Sequence, residues 1–492
     1  MNTSFWLKDS SKKYYSQLEQ NLEVDILIVG GGITGILCAY QLSQENKYRI
    51  ALIEKNELYH STTGYTTGKI TFQHDDIYHR LLNSKGYEMA RLYYEANNEA
   101  VNSLINMIQE KQIDCAFQTT DAYLFAMLNN EKELSLLKEE RNAYQKLNIP
   151  HEWIDKQVLP IASSSYLKVC NQGAFHVVKF LDFVLNTLNN VSIFEQTKII
   201  KTYQSNDETI AITSKNYQIK AKHLILATHY PFYKRFNFFF TILKPTVSYA
   251  LIMDKYRHFE DGVYINLIEP IISIRSTYGQ KPKLLMAGFG HDSYQFKEYV
   301  NQIQKLQEEA IQSFDGSCLE NEWYNQDYQS FDLVPLIGRI KNTNIYMASA
   351  YNKWGMSTSF LASTLIKDII VKQNSKYEKL FSPNRSFFTL KTVWYNFLVG
   401  FTIFRTKVMI VPKKKILPGG TGAILGKGMR KIGVYVDTNN QIHLIKPVCT
   451  HMGCSLRFNN VSKTYDCPCH GSRFNYDGVA IDGPAPRNLK KY

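Results

Sequence analysis

The sequence has no long apolar run. No stretch approaches the roughly 18 apolar residues that a spanning helix needs. The nearest, residues 394–404, is followed by Arg405 and Lys407. It is read as a linker helix packed on the protein, with an in-plane membrane anchor as the alternative. Residues 1–20 lack the basic-then-apolar profile of a secretory signal. The expected compartment is therefore the cytoplasm, with peripheral attachment at the inner face of the membrane as the alternative. Glutamate is missing from the C-terminal part. Residues 401–492 hold 15 Lys and Arg against four Asp and no Glu, a net of +11. The preceding 400 residues keep 57 − 15 = 42 basic and 44 − 4 = 40 acidic groups, a net of +2. A basic segment on a near-neutral body suggests docking to something negative; the plain reading is a solvated surface around Lys413, Lys414 and Lys415. No recognition motif or aromatic-spaced basic stripe accompanies the charge, so nucleic acid is not an expected partner. At 492 residues the chain should divide into two to four domains.

Cysteine is scarce and unevenly placed. Cys38, Cys115, Cys170 and Cys318 are scattered, as buried or free thiols usually are. Cys449, Cys454, Cys467 and Cys469 crowd into 21 residues together with His451 and His470. Two close Cys/His pairs can in principle hold zinc. Here, however, two further cysteines interleave with them and the turn Gly483, Pro484, Ala485, Pro486 follows. In both boxes and in that proline loop the segment resembles the Rieske family. The resemblance implies a 2Fe–2S cluster with Cys449 and Cys467 on one iron and His451 and His470 on the other; zinc remains the alternative. It also implies that Ser472 donates a hydrogen bond to the cluster. Phe474 stands where the high-potential respiratory members have tyrosine. With one donor fewer, the expected potential lies below theirs, within the broad Rieske range of about −150 to +300 mV. Cys454 and Cys469 match the pair that braces the two cluster loops as a disulfide in respiratory-type members, with two reduced thiols as the alternative in a reducing compartment.

At the other end, residues 24–29 form a short β-branched apolar run that leads into Gly30, Gly32 and Gly35 and then a helical pattern. A second apolar run, residues 50–53, ends at Glu54, next to Lys55. Strand, Gly-x-Gly-x-x-Gly, helix, strand and acid follow in the order of a dinucleotide-binding unit. Glu54 is expected to accept ribose hydroxyls, which argues against a 2′-phosphate. A second glycine series, residues 420–426, lacks such a strand and a distal acid and is read as a loop.

Further segments resemble the D-amino-acid-oxidase-like (glycine/sarcosine oxidase-related) family of flavoproteins. They are the strand ending in Ala227 and Thr228, the Asp-x-x-Pro-x-Ile-Gly segment from Asp332 to Gly338, and the turn through Lys353, Gly355, Met356 and Ser357 that opens a helix. The small-residue loop from Ser61 through Thr63 to Lys69 would skirt the flavin, with a flexible surface turn as the plain alternative. The resemblance implies FAD and an α/β FAD-binding Rossmann-type domain in three pieces, residues 1–80, 160–240 and 325–375. An interleaved α+β substrate domain would take residues 81–159 and 241–324. Between 76 and about 140 the pattern is mostly helical, and 241–254 and 283–290 read as strands. A linker helix (376–406) and a small all-β Rieske domain (407–492) would complete the chain.

One polypeptide with two such centres reads as an FAD-dependent dehydrogenase. A small substrate, by fold analogy an amine or amino acid, would give two electrons to FAD. The cluster would pass them singly to an external acceptor, an acidic carrier protein or a membrane quinone-linked component. Arg275, Arg339 and Lys353 are candidates for a substrate carboxylate, His74 for proton transfer, and Tyr249 and His291 for the pocket wall. The alternatives are an NAD(P)H-fed reductase, an electron relay for a partner oxygenase or respiratory component, and an oxygen-using oxidase. The first would want a second dinucleotide motif, which the sequence lacks. Nothing in the sequence sets the oligomeric state.

Overall fold

In the computed structural model the described residues are 3–9, 13–205, 208–232, 239–254, 256, 259–295, 298–315, 317–387, 389–408, 417–426 and 428–492. Lys413, Lys414 and Lys415 lie outside them.

The strand Leu22–Val29 is buried along most of its length, and so is Ile50–Ile53. Strands apolar on both faces belong in the middle of a parallel sheet covered by helices. They pair in parallel with each other, and Leu22–Val29 pairs on its far side with Gln218–Leu226. The mixed eight-stranded sheet is completed by Val191–Phe194 at one edge, Ile345–Ser349 and Leu336–Arg339 at the other, and the hairpin Ile199–Ser205 and Glu208–Thr213. Helices Ile33–Ser43 and Gly355–Lys372 pack together against it.

A second, nine-stranded sheet, called the substrate sheet, contains most of the region expected as the substrate domain, with Glu152–Ile154 pairing with Ser163–Ala174 beside its main path. Its path runs Leu319–Ser330, Leu243–Asp254, Lys283–Asp292, Ile272–Ser276, Val263–Asn266, Gln118–Met127, Ser163–Ala174 and Lys69–Ile70. The expected strands at 241–254 and 283–290 are both present. Helices Ile77–Glu110 and Glu131–Lys146 fill most of 76–140, with Gln118–Met127 crossing between them; the first bends at Gly86, whose φ is +80°.

Two expected domain boundaries move. Ser163–Ala174 pairs antiparallel with Gln118–Met127 and so belongs to the substrate sheet, not to the flavin piece expected from residue 160. Leu319–Ser330 pairs with Leu243–Asp254 and carries that sheet past residue 325. Strand pairing across distant segments decides both, and it leaves no mark at the boundary itself.

The C-terminal part is all-β, with a three-stranded sheet (Thr421–Leu425, Ile432–Val436, Ile442–Ile445) and a four-stranded one (Arg457–Asn459, Thr464–Asp466, Arg473–Asn475, Ala480–Asp482). The loop expected at 420–426 is thus corrected to a strand. Gly420 and Gly426, with φ of +77° and +96°, turn the chain at its two ends. The missing Cβ of Gly422 leaves room for the Phe458 ring, 2.5 Å from where that carbon would stand. Helix Leu390–Val408 precedes the C-terminal part in the sequence and overlaps the span 376–406 expected as a linker helix. Among the described residues no helix is long and apolar enough to cross a membrane.

Candidate functional site

The chain turns out of Leu22–Val29 through Gly30, whose φ is +116° and whose Cβ would stand 2.3 Å from the Ala227 carbonyl oxygen. A Cβ on Gly35 would stand 1.9 Å from the Gly30 carbonyl oxygen. Neither site admits a side chain, so backbone and helix meet at contact distance. Helix Ile33–Ser43 starts at Gly32, which offers no capping side chain, so its N-terminus keeps donors free for an anion. Thr63 Oγ1 accepts from the Ile33 N–H at 3.1 Å. Glu54 Oε2 accepts from the Gly31 N–H at 2.8 Å and Oε1 from the Asn56 N–H at 2.9 Å. The carboxylate is thereby held at the strand end with lone pairs left for hydroxyls. This glycine cradle fits the pyrophosphate and ribose of a dinucleotide.

A single cavity of about 1480 Å³ opens from this crevice. It passes Gly30, Gly32, Glu54, Thr63, Ala227 and Thr228, continues by Gly355 and Met356, and reaches His451 and the turn at 483–487. On the substrate sheet its wall has an apolar patch, Ala250, Ile265, Leu267, Ile271 and Ala287, among polar side chains that include Lys244, Thr246, Glu269 and Gln326. Tyr249 and His291 are also in the wall; the Tyr249 hydroxyl and His291 Nε2 are 3.2 Å apart.

Lys69, His74, Asp75 and Lys353 bring polar chemistry to this wall. Lys69 donates to Ser273 Oγ and lies 5.6 Å from the Trp354 ring centre. Burial brings its ammonium down to about 7, with Arg275 adding to the effect and Asp75 opposing it. His74 is fixed on both nitrogens: one meets the Tyr93 hydroxyl at 2.8 Å, the other the Thr71 carbonyl at 2.9 Å. Its ring stacks on Trp354, and burial lowers its pKa to about 3, so it is neutral in any ordinary buffer. Ser357 donates to the same Thr71 carbonyl and stands 3.3 Å from His74. The Lys353 ammonium would meet a Cβ on Gly290 at 3.2 Å, which places it beside the substrate sheet.

The two arginines expected at a substrate carboxylate are placed elsewhere. Arg275 is buried outside the cavity wall and donates to the Thr67, Ser276 and Phe175 carbonyls. Arg339 donates to Thr343 O and Asn344 Oδ1 at the far edge strand, also outside the wall. Both guanidinium groups are occupied by the protein's own backbone or amide oxygens. Gly338, with φ of +133°, also lies outside the wall.

At the C-terminal end, Cys449, Cys467 and His470 are buried, and the His451 and His470 ring centres are 5.0 Å apart. The sulfurs of Cys454, Cys467 and Cys469 lie within 4.8 Å of one another, but Cys454 and Cys469 are joined as a disulfide. They are therefore not thiolate donors, and Cys449 and Cys467 are the free buried thiols at the site. His451 Nδ1 and Ser472 Oγ are buried without a hydrogen-bond partner among the described residues. Buried polar atoms are rarely left so. Two thiols, two imidazoles and an unmatched hydroxyl fit a bound 2Fe–2S cluster.

Several residues at the junction escaped the sequence reading. Phe240 lies edge-on to both His451 and His470, with ring centres 5.3 and 5.1 Å away. The Tyr328 hydroxyl donates to the His470 carbonyl at 3.2 Å and Gln326 Nε2 to the Gly471 carbonyl at 2.7 Å. Lys55, expected at the dinucleotide, lines the cavity beside Glu54 and also donates to the Ile481 carbonyl at 2.6 Å. His229, one residue past Thr228, sits between Asp327 (3.0 Å) and Asp482 (3.5 Å). Burial works against its charge, but hydrogen bonds to Asp327 and Asp482 outweigh that and raise it to about 9. Asp482 is held at about 2 by the same contact, against its own burial. The only local hint is that His229 follows the Ala-Thr end of a core strand; its partners are far away in the chain.

Residues 25–369 match the FAD dependent oxidoreductase family and residues 407–492 the Rieske [2Fe-2S] domain. The chain is 32% identical over 498 residues to YhfW of Bacillus subtilis (strain 168), whose name describes a Rieske 2Fe-2S iron-sulfur protein. That alignment covers 99% of this chain and 97% of the relative. Its C-terminal part is 34% identical over 76 residues to the cytochrome b6-f complex iron-sulfur subunit of Chlorobaculum tepidum, covering 15% of this chain and 41% of that one. Among solved structures it resembles glycine oxidase from Geobacillus kaustophilus (TM-score 0.62, 14% identity, 74% of this chain and 100% of that one). It also resembles L-amino acid deaminase from Proteus vulgaris (TM-score 0.60, 14% identity, 76% and 100%). At such identity these two show the fold. The chain belongs to the FAD dependent oxidoreductase family and carries a Rieske 2Fe–2S domain at its C-terminal end.

Proposed function

We propose that the protein is a dehydrogenase for a small amine or amino acid whose electrons leave through the Rieske domain to an external acceptor, an acidic carrier protein or a membrane quinone-linked component. The observation that supports this most is the continuity of the cavity, from the glycine cradle, past an apolar patch flanked by Lys69 and Lys353, to His451. FAD, when bound, supplies the acceptor for a hydride from the substrate carbon, and the 2Fe–2S cluster takes electrons one at a time. The chain's own residues prepare the substrate. Lys353 offers a cation for a carboxylate, a role left open by Arg275 and Arg339. Ala250, Ile265 and Ile271 hold the side chain and exclude water. Lys69 is neutral above a pH of about 7 and there takes a proton from the substrate ammonium, freeing the nitrogen lone pair. His74 stays neutral and locks the Thr71 carbonyl and Trp354 beneath the pocket.

A relay without its own substrate would not need this wall. Anaerobic mixing of the holoprotein with a panel of amines and amino acids tests the reading by loss of the flavin's visible absorbance. At least one member of the panel should bleach it. If none does while dithionite does, the site belongs to another substrate class.

A further inference from the structure

Helix Leu390–Val408 has two apolar-spaced faces, and among the described residues only one is buried in the fold. Thr392, Tyr395, Val399, Thr402 and Thr406 are buried. Tyr395 and Val399 pack into the core that contains Cys449, Cys454, Cys467 and Cys469, and the Tyr395 hydroxyl donates to the Cys469 carbonyl at 3.3 Å. Asn396 ties the same helix to the flavin-bearing body through the Thr241 carbonyl, at 2.9 Å. The other face carries Leu390, Trp394, Phe397, Phe401, Phe404 and Val408, spaced alternately by four and three residues. All are exposed; Leu390 is 90%, Trp394 62%, Phe397 63% and Phe404 67% accessible. At 3.6 residues per turn the two faces point about 160° apart around the axis. Trp394 and Phe397 stack with ring centres 5.6 Å apart, so part of the stripe is pre-ordered.

Scattered exposed apolar residues are normal, but a contiguous stripe of large ones marks an interaction surface. The composition says which kind. The helix contains no Asp or Glu, and Lys391, Arg405 and Lys407, all exposed, fall beside the apolar stripe. From residue 401 onward the chain carries the net +11 noted above. An apolar face of Trp, Phe and Leu bordered by Lys and Arg is the pattern of a helix lying in the plane of an anionic bilayer.

We infer that the Leu390–Val408 helix docks the protein on the surface of an anionic lipid bilayer, with its aromatic stripe in the headgroup boundary and the cluster core directly behind it. This deepens the acceptor side of the function proposed above by choosing the membrane over a soluble carrier, and it does not depend on the identity of the substrate. The membrane contact is peripheral, since the stripe occupies one face only.

Co-sedimentation of the full-length holoprotein with vesicles tests it. Vesicles of phosphatidylcholine with phosphatidylglycerol should capture the protein, pure phosphatidylcholine should do so more weakly, and added salt should weaken the anionic case. The triple variant Phe397→Ser, Phe401→Ser, Phe404→Ser should lose about tenfold or more in vesicle affinity, as expected for removing most of the inserted apolar area. Its flavin and cluster spectra and its flavin reduction should be unchanged. The pair Lys391→Gln, Arg405→Gln should weaken only the anionic-vesicle binding. No capture of the wild type, or capture unaffected by the triple variant, overturns the inference. So does a dimer that the triple variant turns into a monomer without any vesicle binding, since the stripe would then face a second copy. Failure here with intact flavin reduction leaves the dehydrogenase reading standing; loss of flavin reduction with intact capture does the reverse.

Discussion

Removing His229 should loosen the Rieske domain from the flavin-bearing body, by an amount that depends on pH in a defined way. The imidazole links Asp327 of the substrate sheet to Asp482 of the Rieske domain. Its pKa rises from 6.5 to about 9, which corresponds to roughly 3 kcal/mol. Asp482 falls from 3.8 to about 2, which corresponds to roughly 2 kcal/mol. These are one interaction seen from its two ends. Side-chain exposures of 18% and 20% leave some solvent screening, so the lower figure is preferred. The His229 pKa is raised in the folded state. Its contribution is therefore complete below the unfolded value near 6.5 and is lost as pH climbs through about 9. The Asp482 pKa is depressed, so its contribution is complete above 3.8 and is lost as pH falls through about 2. Guanidinium titrations of wild type and His229→Ala, followed by the visible circular dichroism of the cluster, measure the difference. At pH 6 the variant should be less stable by about 2 kcal/mol, and the gap should close toward pH 9.5. A gap independent of pH between 6 and 9.5, or no gap at pH 6, refutes the reasoning.

Three further outcomes follow from the same geometry. Lys69→Met should slow flavin reduction by about 100-fold at pH 8, in the ordinary range for a lost general base. It should also remove the rise in rate that the wild type shows through pH about 7; a rise that survives in the variant assigns it to another group. Gly35→Ala puts a Cβ 1.9 Å from the Gly30 carbonyl oxygen, so the purified protein should lack FAD yet keep its cluster dichroism. A full flavin-to-protein ratio would contradict the cradle. Phe474→Tyr adds a donor to a fully buried ring position in the cluster core. About 1 kcal/mol of hydrogen bonding favouring the reduced cluster is about 40 mV, so redox titration should show a rise of that order. An unmoved midpoint would detach the low-potential expectation from this residue.

The parts of the molecule that were legible in the sequence are those where the chemistry is local. Gly30, Gly32, Gly35 and Glu54 sit within one strand–helix–strand unit, and the four ligand positions from Cys449 to His470 sit on two adjacent loops. Backbone approach and iron ligation each dictate residue types at fixed short spacings, so both could be read directly. The Cys454–Cys469 pairing came with the family resemblance. Arg275 and Arg339 show where local reading fails. A charged residue on a strand looks the same whether it faces a ligand or, as here, the protein's own carbonyls, from distant segments for Arg275 and from the adjoining turn for Arg339. His229 is the converse case. Its partners are Asp327 and Asp482, and only the closing of two sheets and the docking of the Rieske domain brings them together. The strand at Thr421–Leu425 hid behind its glycines, because the space they free is filled by Phe458 from another strand. Domain boundaries at 160 and 325 failed for the same reason, since sheet membership is a property of the pairing partner.

The central claim is that electrons pass from the flavin to the cluster within one chain, and anaerobic photoreduction of the holoprotein addresses it directly. As the flavin's visible absorbance falls, the spectrum of the oxidised cluster should bleach with it, and the electron spin resonance signal of a reduced Rieske centre should appear. A fully reduced flavin beside a cluster that stays oxidised would contradict the account.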